Sequence, residues 1–241
     1  DILLLSRRGT LPAGAAKVVL VAKCNIGDQS DSSRAVPFDR IGRLWHAAGE
    51  LADSLLGAQS FTFVYRSFAP KVFGCANVLN TCATSAPMNL VLFSSMAALG
   101  LGNPGQSNYC AANTVLDKLA FSQRARGEAA VSVQWGPWGE IGMAADGDIQ
   151  YKSGLNSIET HRGLLTLQAA ISAAAPSVFG MFNVDWKKFL GKGTVPTFLE
   201  CLTGTVVVEA PMQKTITRAD AQATPAVGVD TVLALVRQNA D

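Results

Sequence analysis

Asn89–Ala120 reads NLVLFSSMAALGLGNPGQSNYCAANTVLDKLA, and the order of residue types along it sets the fold class. It opens on an apolar run, Leu90-Val91-Leu92-Phe93, short and bulky enough for a buried strand. Ser94 and Ser95 stand at the end of that strand. Gly100 to Asn108 is rich in Gly, Asn and Pro, where turn chemistry dominates. From Tyr109 the apolar positions Ala112, Val115, Leu116 and Leu119 recur at helical spacing. Asn113 lies four residues after Tyr109, so the two side chains share one helical face. A hydroxyl at a strand's end and a phenol at the next helix's start can meet in one cleft. Open α/β sheets bind ligands at that edge.

The rest of the chain alternates in the same way. Ile2-Leu3-Leu4-Leu5 reads as a buried parallel strand that turns through Ser6-Arg7-Arg8-Gly9. Lys17–Ala22 is a second apolar strand, and Arg43–Gly49 a third that ends in small residues. Phe61–Ala83 reads as a long helix with Val64, Phe68, Val72 and Cys75 on one face, interrupted at Pro70. Val131–Trp135 is another strand, followed by Gly136-Pro137-Trp138-Gly139. Tyr151–Gly163 reads as a mobile loop, Leu164–Ala175 as a helix, and Gly180–Leu190 as the last strand. The expected architecture is a parallel sheet with helices on both faces.

Composition narrows the function classes. The chain has 241 residues, 49% hydrophobic and 16% charged, enough for one large α/β core and unlike a disordered chain. A net charge of +2 with no long basic run points away from nucleic acid. No apolar stretch approaches the roughly 18 residues of a membrane span. The five cysteines are scattered, without metal spacing, which suits a reduced compartment.

FSSMAALGLGNPGQSNYCAAN, residues 93–113, resembles the catalytic segment of the ketoreductase domains of modular polyketide synthases and animal-type fatty acid synthases, members of the short-chain dehydrogenase/reductase superfamily. Three further stretches match in the same order: LLLSRRG at 3–9, HAAGELADSLL with APKVFG within 46–74, and VQWGPWGEIGM at 133–143. FNVDWKKFL at 182–190 resembles the closing strand. The resemblance implies an N-terminally truncated Rossmann-like, doubly wound sheet over residues 1–200. Residues 201–228 read as a linker, and 229–241 as the start of an acyl carrier domain. The G-x-G-x-x-G loop and first βα unit that the family places ahead of the strand at Ile2 are not found before it, so the chain reads as a piece of a longer polypeptide.

The site follows residue by residue from the same resemblance. Tyr109 matches the proton donor and Ser95 the residue that holds the substrate carbonyl. Lys71 matches the lysine that lowers the phenol's pKa, and Asn113 the residue that positions lysine and water. Ser6, Arg7 and Arg8 match the turn that grips the 2′-phosphate of NADPH; guanidinium donors suit phosphate. Asn25 stands where an Asp contacts adenine. Ala47-Ala48-Gly49 would pass close to the cofactor, with Pro137 and Trp138 against its nicotinamide; Trp138 reads equally well as core packing. His46 reads as a structural histidine. Asp53 matches the last residue of a Leu-Asp-Asp motif that goes with one stereochemical outcome, the 3R alcohol. Ser95 and Tyr109 are fourteen residues apart, one more than the family's thirteen, with Gly100 and Gly102 placed to absorb the excess.

The implied activity is NADPH-dependent reduction of a β-ketoacyl thioester carried on the phosphopantetheine of an acyl carrier protein, beside other synthase domains. A cytoplasmic or organellar location goes with it. A non-reducing structural domain of a synthase and, more weakly, a free-standing dehydrogenase are the other readings.

Overall fold

The computed structural model describes residues 2–8, 19–36, 41–82, 89–140, 153–172, 174–191 and 197–199. The expected linker (201–228) and carrier helix (229–241) lie outside the described residues.

The core is a four-stranded parallel sheet in the order β3 (Arg43–His46), β4 (Asn89–Ser95), β5 (Ala130–Trp135) and β7 (Val178–Met181). All six residues of β5 and the five central residues of β4 are buried. Strands covered on both faces have no solvent side, so Leu90–Phe93 is a continuous apolar run and the polar Ser132 and Gln134 of β5 are buried as well, bonded to Asp117. A separate parallel pair joins β1 (Ile2–Ser6) to β2 (Val19–Lys23), with Leu3 opposite Leu20 and Leu4 opposite Val21. β1 and β3 are not hydrogen-bonded to each other. Leu5 and Leu44 nevertheless pack on one apolar cluster with Val36, Val78 and Cys82.

Helix α1 (Gln29–Ala35) follows β2, its first turn capped by Asp28, whose carboxylate accepts from the Asp31 amide at 3.0 Å. Helix α2 (Phe61–Phe68) runs through a π-helical turn (Ala69–Phe73) into α3 (Gly74–Thr81). The expected interruption at Pro70 is therefore this wider turn. Proline has no N–H to place in the α-helical ladder, and a π turn accommodates the loss. Helix α4 (Ser107–Ala125) lies under β4 and β5 and buries Tyr109, Ala112, Asn113, Leu116, Asp117 and Ala120. Val115, expected on that stripe, is exposed, because the buried face is centred one residue further round.

The C-terminal part differs from the sequence reading. Gly180–Leu190 is not one strand: β7 ends at Met181, a two-residue β8 (Asn183–Val184) pairs antiparallel with β6 (Leu155–Asn156), and Trp186–Leu190 is a short helix, α6. Asp185 caps it, accepting from the Lys188 amide at 3.1 Å. Trp186, Phe189 and Leu190 fall at helical spacing and pack beside Leu101 and Leu199. Helix α5 spans Thr160–Ala170 and begins four residues before the expected Leu164. No helix among the described residues is long and apolar enough to cross a membrane.

Candidate active site

Four of the expected site residues converge where β4 ends and α4 begins. Ser95 closes β4 and Tyr109 lies in the first turn of α4. Lys71 comes from the π turn and Asn113 from the second turn of α4. Lys71 is only 3% exposed; its Nζ donates to the Phe93 carbonyl at 2.9 Å and lies 5.4 Å from the centroid of the Tyr109 ring. Asn113 Nδ2 donates to the Tyr109 carbonyl at 2.8 Å, and its buried Oδ1 has no hydrogen-bond partner.

Gly100 lies between Ser95 and Tyr109, at the end of a short turn. A short 3₁₀ turn, Met96–Leu99, follows Ser95, whose hydroxyl accepts from the Ala97 amide at 3.2 Å. Gly100 ends that turn with φ +74°, a conformation that costs a residue without a Cβ little. Ser95 is among the groups that act on the Tyr109 phenol.

The electrostatics are those of burial. Burial pushes the Tyr109 phenol up, while side-chain hydrogen bonds from Asn113 and Ser95 oppose the rise. The expectation that Lys71 draws this pKa down is not met in net effect. The ammonium is turned onto the Phe93 carbonyl and faces the ring, and the loss of solvent outweighs the donors. Burial lowers Lys71 itself to about 8, the carboxylate of Asp117 acting against it. His46 is lowered to about 4, first by burial, and its Nε2 lies 2.8 Å from the Lys71 carbonyl. A carbonyl only accepts, so Nε2 carries the proton, and the ring is neutral at ordinary pH.

Asp117 was not singled out in the sequence. It lies two helical turns beyond Tyr109 on the same buried face, and accepts from Ser132 Oγ at 2.7 Å and Gln134 Nε2 at 2.8 Å. An acid four residues after Asn113 on an apolar stripe was the available signal.

The loop before α4 is tied to the segment after β3. Asn108 Nδ2 donates to the carbonyls of Ala52 at 2.7 Å and Phe63 at 2.9 Å. Asp53, itself exposed, accepts from Gln106 Nε2 at 3.1 Å. That bond ties Asp53 to the loop before α4.

A cavity of about 490 Å³ opens at the carboxyl ends of β1, β2 and β3. Arg7, Arg8, Asn25, Ala48 and Gly49 line it, together with Arg66 and Glu50 from outside the expected set. Its size suits a small-molecule site, and its position suits a nucleotide. Arg7 and Arg8 offer guanidinium donors suited to phosphate, while Arg66 is paired with Glu50. These residues fit the adenosine end of a phosphorylated dinucleotide. Ser6 is the last residue of β1. Ala47 and Trp138 are placed otherwise: Ala47 packs against the sheet's apolar cluster, and Trp138 is buried with its ring 4.9 Å from that of Trp135. Pro137 borders that cluster, its carbonyl accepting from Ile158 at 2.7 Å.

A family model described as the KR domain matches residues 2–140. A polyketide synthase (GfsB) of Streptomyces halstedii is 34% identical over 218 residues, 78% of this chain and 4% of that protein. The pikromycin polyketide synthase component PikAIII of Streptomyces venezuelae is 32% identical over 211 residues, 80% of this chain and 13% of that one. Among solved structures, an A1-type ketoreductase aligns with a TM-score of 0.69 at 28% identity, covering 78% of this chain and 43% of the other. A-type ketoreductases from a modular polyketide synthase align at 0.68 and 29%, with the same coverage. The chain thus spans less than half of those structures and a small part of the curated relatives.

Proposed function

The chain belongs to the KR-domain family of polyketide synthases, and from that premise we propose that it reduces a β-ketoacyl thioester to the β-hydroxyacyl thioester as part of a multidomain polyketide or fatty acid synthase. The observation that carries this reading is the convergence of Lys71, Ser95, Tyr109 and Asn113, with the Lys71 ammonium 5.4 Å from the Tyr109 ring. The substrate is carried on an acyl carrier protein and the cofactor is NADPH, taken up by the arginine-lined cavity. When bound, NADPH supplies the hydride.

The chain's own residues divide the remaining work. Ser95 Oγ donates to the ketone oxygen and fixes it beside the phenol. Tyr109, kept protonated by burial, gives its proton to that oxygen as the negative charge develops. The Lys71 ammonium, held over the ring, stabilises the phenolate left behind. Asn113 offers its unpartnered Oδ1 to a water that returns a proton to the site. Asp53, held by Gln106, guides the acyl arm toward the 3R product.

The test is Tyr109→Phe in the intact synthase, with products analysed by mass spectrometry. The β-keto product should accumulate, with reduction down at least about a thousandfold, the upper part of the range for a lost proton donor. Unchanged formation of the β-hydroxy product would mean that the domain does not reduce and serves a structural role.

A further inference from the structure

Glu50 sits in the arginine-lined cavity as an anion of the protein's own. It follows Gly49, and its backbone carbonyl accepts from the buried Ser67 hydroxyl at 3.4 Å, which sets where its side chain starts. One carboxylate oxygen takes Arg66 Nε at 2.7 Å; the other takes Arg7 Nη1 at 3.2 Å. The side chain of Glu50 is 24% exposed, against 63% for Arg7 and 50% for Arg66. The carboxylate is therefore the least solvated member, held more closely by Arg66 than by Arg7. Arg66 comes from α2 and Arg7 from the turn after β1, so the bridge crosses the cavity wall between two elements.

We propose that Glu50 is a built-in competitor for the phosphate-binding Arg7, and that Arg66 is its holder, together setting how tightly the cavity takes a 2′-phosphorylated adenosine. The proposal rests on the reading of the cavity as a nucleotide site. A phosphate arriving at Arg7 meets a carboxylate already there, and like charges at this range repel. Displacing Glu50 from the longer contact is the cheaper route, since the shorter one to Arg66 survives. With Arg66 holding it back, the displaced carboxylate does not follow Arg7 and oppose the phosphate. An adenosine without the 2′-phosphate needs no such displacement. Arg66 thus acts through Glu50, and Glu50 acts only on the phosphorylated ligand.

The experiment is calorimetric titration of the intact synthase with adenosine 2′,5′-bisphosphate and with AMP at fixed ionic strength. Glu50→Gln should tighten the bisphosphate by roughly three- to tenfold, the scale of one partly solvated ion pair plus the relieved repulsion, and leave AMP unchanged. Arg66→Ala should weaken the bisphosphate several-fold in the native background and have no effect in the Glu50→Gln background. Equal changes for both nucleotides would overturn the proposal. So would an Arg66→Ala loss of the same size in both backgrounds, which would make Arg66 a direct phosphate ligand. Failure of the unaltered protein to bind either nucleotide removes the nucleotide reading with it. Binding of the bisphosphate unaffected by Glu50→Gln leaves the nucleotide site standing and removes only the competitor.

Discussion

Replacing Lys71 with methionine should make the domain more stable at neutral pH while removing its chemistry. The side chain is almost fully buried, and burial lowers its pKa from 10.5 to about 8. At about 1.36 kcal/mol per pH unit, holding the charged form in the folded state costs roughly 3 kcal/mol relative to the unfolded chain. Methionine has a similar length and no charge. Against that gain stands the lost hydrogen bond from a charged donor to the Phe93 carbonyl, about 1.5–3 kcal/mol. The net expectation is a stabilisation of about 0–1.5 kcal/mol at pH 7. The sign with pH is fixed by the direction of the shift. The folded lysine releases its proton near 8 and the unfolded one near 10.5, so between the two the unfolded state holds more protons and the native protein gains stability as pH rises. The methionine variant has no such gain. Its advantage should shrink by about 2–3 kcal/mol between pH 7 and pH 10 and reverse. Urea unfolding followed by tryptophan fluorescence reads this, with Trp135 and Trp138 buried in the sheet's core. A stability difference that stays constant from pH 7 to pH 10 would refute the claim that a buried charge sits at position 71.

The same lysine should set the alkaline limit of the reaction. With Lys71 near 8 and Tyr109 raised, kcat/KM for a β-keto thioester should be level below about pH 8 and fall above it by about tenfold per pH unit. Asp117→Asn removes the carboxylate that opposes the lowering, so the limb should move to lower pH; a limb that stays in place would show that Asp117 acts only on Ser132 and Gln134. Gly163→Ala should loosen α5 from the sheet, since a Cβ there would lie 2.1 Å from the Trp138 ring. A loss of about 2–3 kcal/mol in thermal unfolding is expected, and an unchanged midpoint would mean that the indole moves aside freely.

The parts legible in the sequence were those with a local period. β4 and α4 announce themselves by a bulky apolar run and a helical stripe, and the site residues at their junction follow. Pro70 marked an interruption, but a missing N–H does not say whether a helix kinks, ends or widens. FNVDWKKFL carried two signals. The resemblance to the family's closing strand suggested a strand, while Asp185 as a cap and the spacing of Trp186, Phe189 and Leu190 favoured the helix that forms. Glu50 and Arg66 were missed because their contact joins elements sixteen residues apart, which no periodicity reports. Asp117 was visible as an odd acid on an apolar face, and its meaning came only with Ser132 and Gln134 across on β5.

The π turn explains how Lys71 comes to face Tyr109 and why His46 lies beneath it. A regular helix bonds each carbonyl to the amide four residues on; here the Gly74 amide reaches back five residues, to Ala69. The wider turn carries one residue more than an α-turn and shifts the register of the side chains around it. It also loosens the carbonyl ladder, and a buried carbonyl left unpaired is costly. The Lys71 carbonyl takes a bond from His46 Nε2 at 2.8 Å. That donor must be neutral to be buried without a partner charge, and its pKa of about 4 keeps it so. His46 ends β3 and Phe93 lies in β4, adjacent strands of one sheet. Lys71 is thus held at its backbone by one strand and at its ammonium by the next. A flexible side chain becomes a fixed charge because both of its ends are bonded to adjacent strands of the central sheet. That fixing does the positioning a proton-transfer site requires, and burying the charge is the cost that the Lys71→Met comparison measures.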